Sequence, residues 1–283
     1  MTAETVTASP LAIDTAAPAR GLLPAALRVV ATLLVILAVW YGAALLVHVS
    51  GNDIAARKVP YPHEVLGTIL QNPTTFIDAT WQTTSRAVVG FFIGLGLGLL
   101  VGAAMAQSRW VENAIVPYVL ASQMIPLVAL VPILHAVLKD ADLVRLYVTA
   151  YVSFFVLTIA VARGLKNVSP SAVELMNSVD ASSVQTIRMV RFPAAMPYIF
   201  TGLRIAAPLS LIGAILVDFL GARNGLGFLL VASLSLGESQ SGVLWAALVL
   251  CLLFGLIATQ VVALVERRVC FWEPAYRTVL ATP

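Results

Sequence analysis

Residues 163–197 decide the fold: RGLKNVSPSAVELMNSVDASSVQTIRMVRFPAAMP. This polar segment lies between long apolar runs and carries four basic residues, Arg163, Lys166, Arg188 and Arg191. A chain that only crosses a bilayer needs no more than a short turn at such a place. The length and polarity of this segment, called the central loop from here on, therefore predict a structured surface that contacts a partner.

The composition of the whole chain is typical of a membrane protein. Hydrophobic residues make up 60% of the 283 and charged residues 11%, whereas about a quarter of the residues in a soluble domain are charged. A helix needs roughly 20 apolar residues to cross the hydrocarbon core, and continuous apolar runs favour helices over barrel strands. The sequence therefore predicts an all-α polytopic membrane protein with six transmembrane helices, at Leu27–Val49, Ala87–Ala106, Ala114–Leu138, Leu143–Ala162, Tyr198–Leu220 and Gly242–Val265.

The distribution of basic residues predicts the orientation. With a cytoplasmic N-terminus most of them lie on the inner side, as the positive-inside rule requires, and Arg57 and Lys58 are the main exception. We expect a disordered cytoplasmic tail (1–20), a transmembrane domain (21–272) and a cytoplasmic C-terminal tail (273–283). The first tail is not expected to be a signal peptide, because the apolar run that follows it is too long.

Two segments between the spans predict structure of their own. Gly51–Thr80 is rich in turn residues and predicts an external connection with a short interfacial helix at His63–Leu70. Leu226–Leu236 is apolar but too short to cross, which suits a partly buried or re-entrant segment. The two cysteines, Cys251 and Cys270, imply neither a disulfide framework nor a metal site.

The second span contains four glycines spaced four residues apart, Gly90, Gly94, Gly98 and Gly102. This spacing places them on one helical face, where small residues let two helix backbones approach closely. Two interpretations remain open: static packing inside the bundle, or a face that slides during a conformational cycle.

The third span contains Pro117, Pro126 and Pro132, which predict a kinked or broken helix. Carbonyl groups freed at membrane depth are tolerated only against protein or a water-filled cavity. We therefore predict that Gln123, Met124 and Pro126 line a translocation pathway. The alternative is a kink that serves packing alone.

Ionisable residues within spans are costly and are candidates for function. Asp218 is expected to be a gate residue at the pathway entrance. The alternative is an interfacial residue or a partner of Arg223. Arg204 is expected to extend to the inner surface rather than to bind an anion. Arg86 is expected to pair with an acid or attract an anionic solute, and Arg145 is assigned to the external side.

The central loop itself predicts two short helices. Ser169 and Pro170 can begin the first, and the capping-box pattern of Ser171 and Glu174 offers a competing start. After a bend at 178–180, a second capping-box pattern begins at Ser182, with Gln185 three residues later. Phe192-Pro193 is expected to end this second helix.

The central loop and its flanking spans resemble those of binding-protein-dependent ABC importer permeases. More narrowly, the chain is similar to permeases for aliphatic sulfonates, taurine and nitrate. The resemblance extends from about Thr80 to Trp272 and rests on motifs in the expected order. They are TTSRAVVGFFIGLGLGLLVG (83–102), the Gln123–Pro132 region, PAAMPYIFTGLR (193–204) and the later GLG (225–227).

The resemblance implies a bacterial inner-membrane subunit that pairs with a second permease, in a homodimer or a heterodimer. A coupling helix in the central loop would dock on a separate ATPase, which binds ATP and Mg²⁺, and an external binding protein would deliver the solute. This chain has no GxxxxGK[ST] motif, so no cofactor and no enzyme activity are expected in it. The residues implied in coupling are Glu174, Asp180, Ala181, Ser182, Gln185 and Arg188.

The implied solute is a sulfonate, taurine, nitrate or similar anion, with a heterocyclic vitamin precursor (pyrimidine or riboflavin type) as the alternative. An ion-coupled secondary transporter is the alternative from another class. The central loop departs from the family pattern at Glu174-Leu175-Met176 and at Asp180, which stands where a glycine is usual. We expect the coupling helix still to form, beginning near Asp180 with that residue as its cap.

Overall fold

The computed structural model describes residues 25–50 and 58–272. The predicted tails at 1–20 and 273–283 lie outside these residues. The secondary structure of the described part is helical, without strands. Its helices are α1 (Ala25–Val49), α2 (Pro62–Gln71), α3 (Pro73–Gln107), α4 (Arg109–Gln123), α5 (Leu127–Leu138), α6 (Ala141–Lys166), α7 (Pro170–Ser178), α8 (Ser183–Thr186), α9 (Phe192–Leu220), α10 (Leu226–Leu236) and α11 (Ser241–Val269), with a π-helical turn at Ile187–Arg191 and a 3₁₀ turn at Gly237–Gln240.

The transmembrane organisation agrees with the prediction. Five helical stretches of the described part are long and apolar enough to cross a bilayer, and the bent pair α4–α5 makes a sixth when it is counted as one span. The axes of α4 and α5 differ by 92°. The proline-rich third span is therefore broken, as its sequence predicts.

The connection after the first span contains the predicted interfacial helix, which is present as α2. Helix α3 begins at Pro73, within the segment predicted as an external connection (Gly51–Thr80). Pro73 occupies the first helical turn, where a missing amide donor costs nothing. Phe76 is buried with Val65 of α2 and Ala246 of α11, which explains how a helical turn with mixed polarity is held at this end of the bundle.

The glycine face of α3 packs directly against α6. A Cβ atom placed on Gly94 would lie 2.6 Å from the carbonyl oxygen of Ala150, and one placed on Gly102 would lie 2.8 Å from that of Thr158. A Cβ atom on Gly90 would lie 2.9 Å from the carbonyl oxygen of Leu146, and one on Gly98 would lie 2.9 Å from Cβ of Leu157. Because backbone and Cβ atoms cannot move by a change of rotamer, these glycines set the distance between the two helices.

Helix α9 completes a core of three helices. On one level Phe91 of α3, Leu157 of α6 and Ala206 of α9 are buried together. Closer to the central loop, Val161 and Ile199 form a similar cluster. Since α3 and α6 run in the same direction and α9 runs back, the central loop lies at one end of this core and residues 141 and 220 lie at the other.

Candidate functional site

The first helix of the central loop, α7, begins at Pro170 with Ser169 as its N-cap residue. The competing start at Ser171 is not used. The side chain of Ser171 instead donates a hydrogen bond to the hydroxyl of Ser169. Glu174 is exposed on this helix.

Asp180 ends α7 in the left-handed conformation, with φ of +53°. Its amide donates to the carbonyl of Asn177 at 3.1 Å, and the amide of Ala181 donates to the carbonyl of Met176 at 3.0 Å. These two bonds define a Schellman motif, in which the left-handed position is usually glycine. Asp180 therefore keeps the conformation that the family glycine would take, and the expectation that it caps the next helix is wrong.

The cap of the second helix is Ser182, and the predicted capping box is present. The hydroxyl of Ser182 accepts from the amide of Gln185 at 3.3 Å, and the amide of Ser182 donates to the Gln185 carboxamide at 2.8 Å. Two amide groups at the helix start are thereby satisfied reciprocally. Helix α8 consequently has a fixed beginning although it is only four residues long.

The chain does not leave the helical conformation at Phe192-Pro193, so the expected end of the second helix there is wrong. A π-helical turn follows α8, and the amide of Phe192 donates to the carbonyl of Ile187, five residues earlier. In an α-helix, the ring of Pro193 would clash with the carbonyl four residues before it. The wider turn gives that carbonyl room, and the helix continues into α9.

The central loop exposes a set of apolar side chains, called its apolar face from here on. It consists of Leu175, Val179, Val184 and Met189, whose exposed fractions are 65%, 65%, 73% and 67%. Exposed apolar patches that polar groups surround mark interaction sites. Of the residues predicted for coupling, Ala181 is half-buried and the others are exposed: Glu174, Asp180, Ser182, Gln185 and Arg188.

The base of the central loop is braced against the membrane helices. Lys166, at the end of α6, forms an ion pair with Glu112 of α4. Asn167 donates to the hydroxyl of Tyr198 on α9. Both contacts join the loop to helices that also form the bundle.

The break between α4 and α5 is exposed on the surface of the protomer. Gln123 and Pro126 are exposed, and the exposed fraction of Met124 is 83%. The carbonyl of Ser122 accepts from the amide of Ile125 at 3.1 Å. It also accepts from the hydroxyl of Tyr151 on α6 at 2.5 Å, so one carbonyl freed by the break is paired inside the protein.

Asp218, predicted for the pathway, lies instead in a buried polar network at the end of the bundle opposite the central loop. Its carboxylate accepts from Nε of Arg145 at 2.5 Å and from the hydroxyl of Thr83 at 2.5 Å. The exposed fractions of Asp218 and Arg145 are 0% and 1%. A guanidinium nitrogen of Arg145 also donates to the backbone carbonyl of Asn224 at 2.8 Å, and the amide of Leu226 donates to Thr83 at 2.9 Å.

This network differs from the expectations for its charged members. Asp218 pairs with Arg145 and not with Arg223, which is exposed, and Arg145 is buried at the end of the bundle opposite the central loop. The sequence contained one indication that Arg145 is paired, because Asp142 lies three residues before it. The carboxylate of Asp142 accepts from Arg145 at 2.7 Å and from Arg86 at 2.9 Å. The expectation that Arg86 pairs with an acid is confirmed.

A second ion pair lies nearer the central loop. A terminal nitrogen of Arg204 on α9 lies 2.5 Å from a carboxylate oxygen of Glu266 on α11. Arg204 is partly exposed, and Glu266 is buried. The side chain of Arg204 thus joins α9 to the last span, beyond its expected role of reaching the surface.

Known proteins are similar to this chain in sequence. A family model described as "Binding-protein-dependent transport system inner membrane component" matches residues 94–270. A formylaminopyrimidine transport permease of Halalkalibacterium halodurans is 32% identical, over 62% of this chain and 73% of its own length. A riboflavin transport system permease of Chloroflexus aurantiacus is 28% identical, over 88% and 91%. A taurine transport system permease of Escherichia coli is 28% identical, over 71% and 74%.

The fold agrees with a solved structure as well. A chain of the MetNI methionine ABC transporter, crystallised in an inward-facing conformation, superposes on the present chain with a TM-score of 0.61 at 18% identity. The match covers 70% of the present chain and 98% of that one.

Proposed function

The chain belongs to the family of binding-protein-dependent transport system inner membrane components, and on that basis we propose that it pairs with a second copy of itself around a translocation pathway. As a permease subunit of an ABC importer it is not itself an enzyme. In the proposed assembly ATP and Mg²⁺ bind to separate ATPase subunits, and an external binding protein delivers the solute. Both termini lie in the cytoplasm.

The observation that carries this proposal is the apolar face of the central loop. Leu175 lies on α7 and Val179 is the C-cap residue of that helix, four residues later, and Val184 follows the capped start of α8. The Schellman motif and the capping box fix these segments without help from a partner. A preformed apolar surface loses little conformational entropy on binding, so it suits a protein that docks reversibly.

Substitution of Val184 tests the docking surface. Val184→Glu places a charge on the apolar face, and Asn177→Glu places the same charge on the same loop, at an exposed residue on the other side of α7. We expect Val184→Glu to lose co-purification of the ATPase and ATP-driven uptake in proteoliposomes, while Asn177→Glu keeps both. Equal retention of the ATPase by the two variants would contradict the docking assignment.

The proposed pathway includes the exposed break between α4 and α5. Gln123, Met124 and Pro126 line it in this proposal, whereas Asp218 is proposed to support the pathway from the network behind it. The thiol of Met124→Cys should react with a small aqueous thiol reagent, and this reaction should be slower when cargo and binding protein are added. Val128→Cys is the control, because residue 128 is also exposed but lies on α5, after the break.

Two cargo classes are proposed. An anion of the sulfonate, taurine or nitrate type is supported by the taurine permease and by permeases named for sulfonates and nitrate. A neutral heterocycle of the pyrimidine or riboflavin type is supported by two relatives. It is also favoured by the break itself, where Gln123, Met124 and Pro126 carry no charge.

Competition for uptake separates these classes. In proteoliposomes that hold the whole importer, excess taurine or nitrate should suppress uptake if the cargo is an anion. An excess of an aminopyrimidine or of riboflavin should suppress it if the cargo is a heterocycle. Collapse of the ion gradients should leave uptake unchanged in both cases, because an ABC importer uses ATP.

A further inference from the structure

The buried network at the far end of the bundle joins four parts of the chain. Thr83 belongs to α3, Arg145 to α6 and Asp218 to the last turn of α9, and the turn that contains Asn224 leads into α10. Burial of a charged pair is expensive, and its partners must be well placed to compensate. A buried pair of this kind, which joins two membrane-spanning helices, is therefore a candidate for a specific role.

The network determines how α10 begins. Gly225 has φ of +99°, and a Cβ atom on it would lie 2.6 Å from the carboxyl carbon of Asp218. Gly227, in the first turn of α10, packs against the same residue, since a Cβ atom on it would lie 2.7 Å from Cβ of Asp218. The carboxylate of Asp218 therefore faces the N-terminus of α10, where a negative charge is favourable, while Arg145 balances that charge from the other side.

Asp218 also lies at the end of a long helical stretch. Residues Ser183–Leu220 form one helical span, so the capped start of α8 and the network are at opposite ends of a single element. A continuous helix transmits displacement along its axis, and the network fastens α10 to its far end. The side chains of Leu234 and Leu236 on α10 are exposed.

We propose that the Arg145–Asp218 pair is a positioning device that fastens α10 to the end of α9, so that movement of the central loop reaches the surface where cargo arrives. This inference rests on the proposed function. The pair acts through α10 and touches no cargo. Its loss should separate ATP hydrolysis from transport while the bundle remains folded.

The test uses the reconstituted importer with its ATPase and binding protein. In Arg145→Met/Asp218→Leu, both charges are replaced together by apolar groups, which leaves no buried charge without its partner and is the change a fold tolerates best. We expect basal ATP hydrolysis to remain close to that of the wild type. Uptake per ATP hydrolysed should fall about tenfold, within the usual range of coupling between distant sites.

Hydrogen exchange of residues 222–236 supplies a second measurement that needs no transport. Exchange should become faster in the double variant, while exchange in α6 stays unchanged. Arg223→Gln is the control, since this exposed residue lies in the same turn. If the double variant does not fold, Asp218→Asn replaces it, because the carboxamide oxygen keeps an acceptor for Thr83 and Arg145 retains Asp142 as an acidic partner.

Full coupling together with unchanged exchange, in whichever of the two variants folds, would overturn the positioning role. If the wild-type importer shows no ATP-driven uptake, the proposed function has failed instead. The exchange measurement then still decides whether the pair fastens α10.

Discussion

The contact between α3 and α6 gives a prediction with its control in the same helix. Gly94 faces α6, and a Cβ atom on it would lie 2.6 Å from the carbonyl oxygen of Ala150 and 2.7 Å from Cβ of Ser153. Gly96 is two residues away, and a Cβ atom there would meet nothing within 4 Å. The variants Gly94→Ala and Gly96→Ala therefore add the same methyl group to opposite sides of one helix.

The difference in unfolding free energy between the two variants follows from this geometry. Ordinary contact begins near 3.4 Å, so the two helices must separate by several tenths of an ångström at Gly94, and the backbone of Ala150 has no rotamer with which to yield. Overpacking of this kind costs about 1–3 kcal/mol. The gain in helix propensity from glycine to alanine, up to about 1 kcal/mol, applies equally to both variants and cancels in their difference.

The assay is thermal unfolding of the purified chain in nanodiscs, followed by loss of tertiary structure. We expect Gly96→Ala to unfold at or above the wild-type temperature. We expect Gly94→Ala to be less stable than Gly96→Ala by about 1–3 kcal/mol. Equal stability of the two variants, or a more stable Gly94→Ala, would refute the assignment of these glycines to a tight helix contact.

Three further predictions concern the turns. Asp180→Gly should stabilise the central loop by up to about 1 kcal/mol, because glycine adopts the left-handed conformation without a Cβ clash; slower hydrogen exchange of α7 would show it. Ser182→Ala should destabilise the start of α8 by about 0.5–2 kcal/mol through loss of its cap, and faster exchange at Gln185 without change in α7 is the expected signature. Gly225→Ala should cost about 1–3 kcal/mol from backbone strain, and the clash with Asp218 adds to this cost. Gly237→Ala is the control, because a Cβ atom there meets nothing within 4 Å and only backbone strain remains. A lower unfolding temperature for Gly225→Ala than for Gly237→Ala would measure the cost of the clash.

Features that depend on neighbouring residues were predictable from the sequence. The spans follow from local apolar runs, and the broken third span follows from Pro126 and its neighbours. The capping box of Ser182 and Gln185 follows from a spacing of three residues. Each of these structures is determined by atoms that lie within a few turns of one another along the chain, so a pattern in one sequence is sufficient to identify them.

The network could not be predicted in this way, because its members are far apart in sequence. Arg145 and Asp218 are separated by 73 residues, and Thr83 and Asp218 by 135. Nothing local distinguishes a buried arginine from one that reaches solvent at a helix end, and the choice is made only when α3, α6 and α9 pack together. Asp180 shows a related limit: both capping and the left-handed conformation are open to an aspartate, and the bonds of the Schellman motif decide between them.

Helix α9 connects the central loop to the buried network. Pro193 would end an ordinary α-helix, and an ended helix would separate the central loop from the membrane bundle. The π-helical turn at Ile187–Arg191 removes that interruption, so the stretch from Ser183 to Leu220 is one helical span. The surface fixed by the capping box and the turn fixed by Asp218 therefore lie at opposite ends of one continuous helical stretch. The proposed importer needs such an element, because a displacement imposed on the central loop has to reach the opposite end of the bundle.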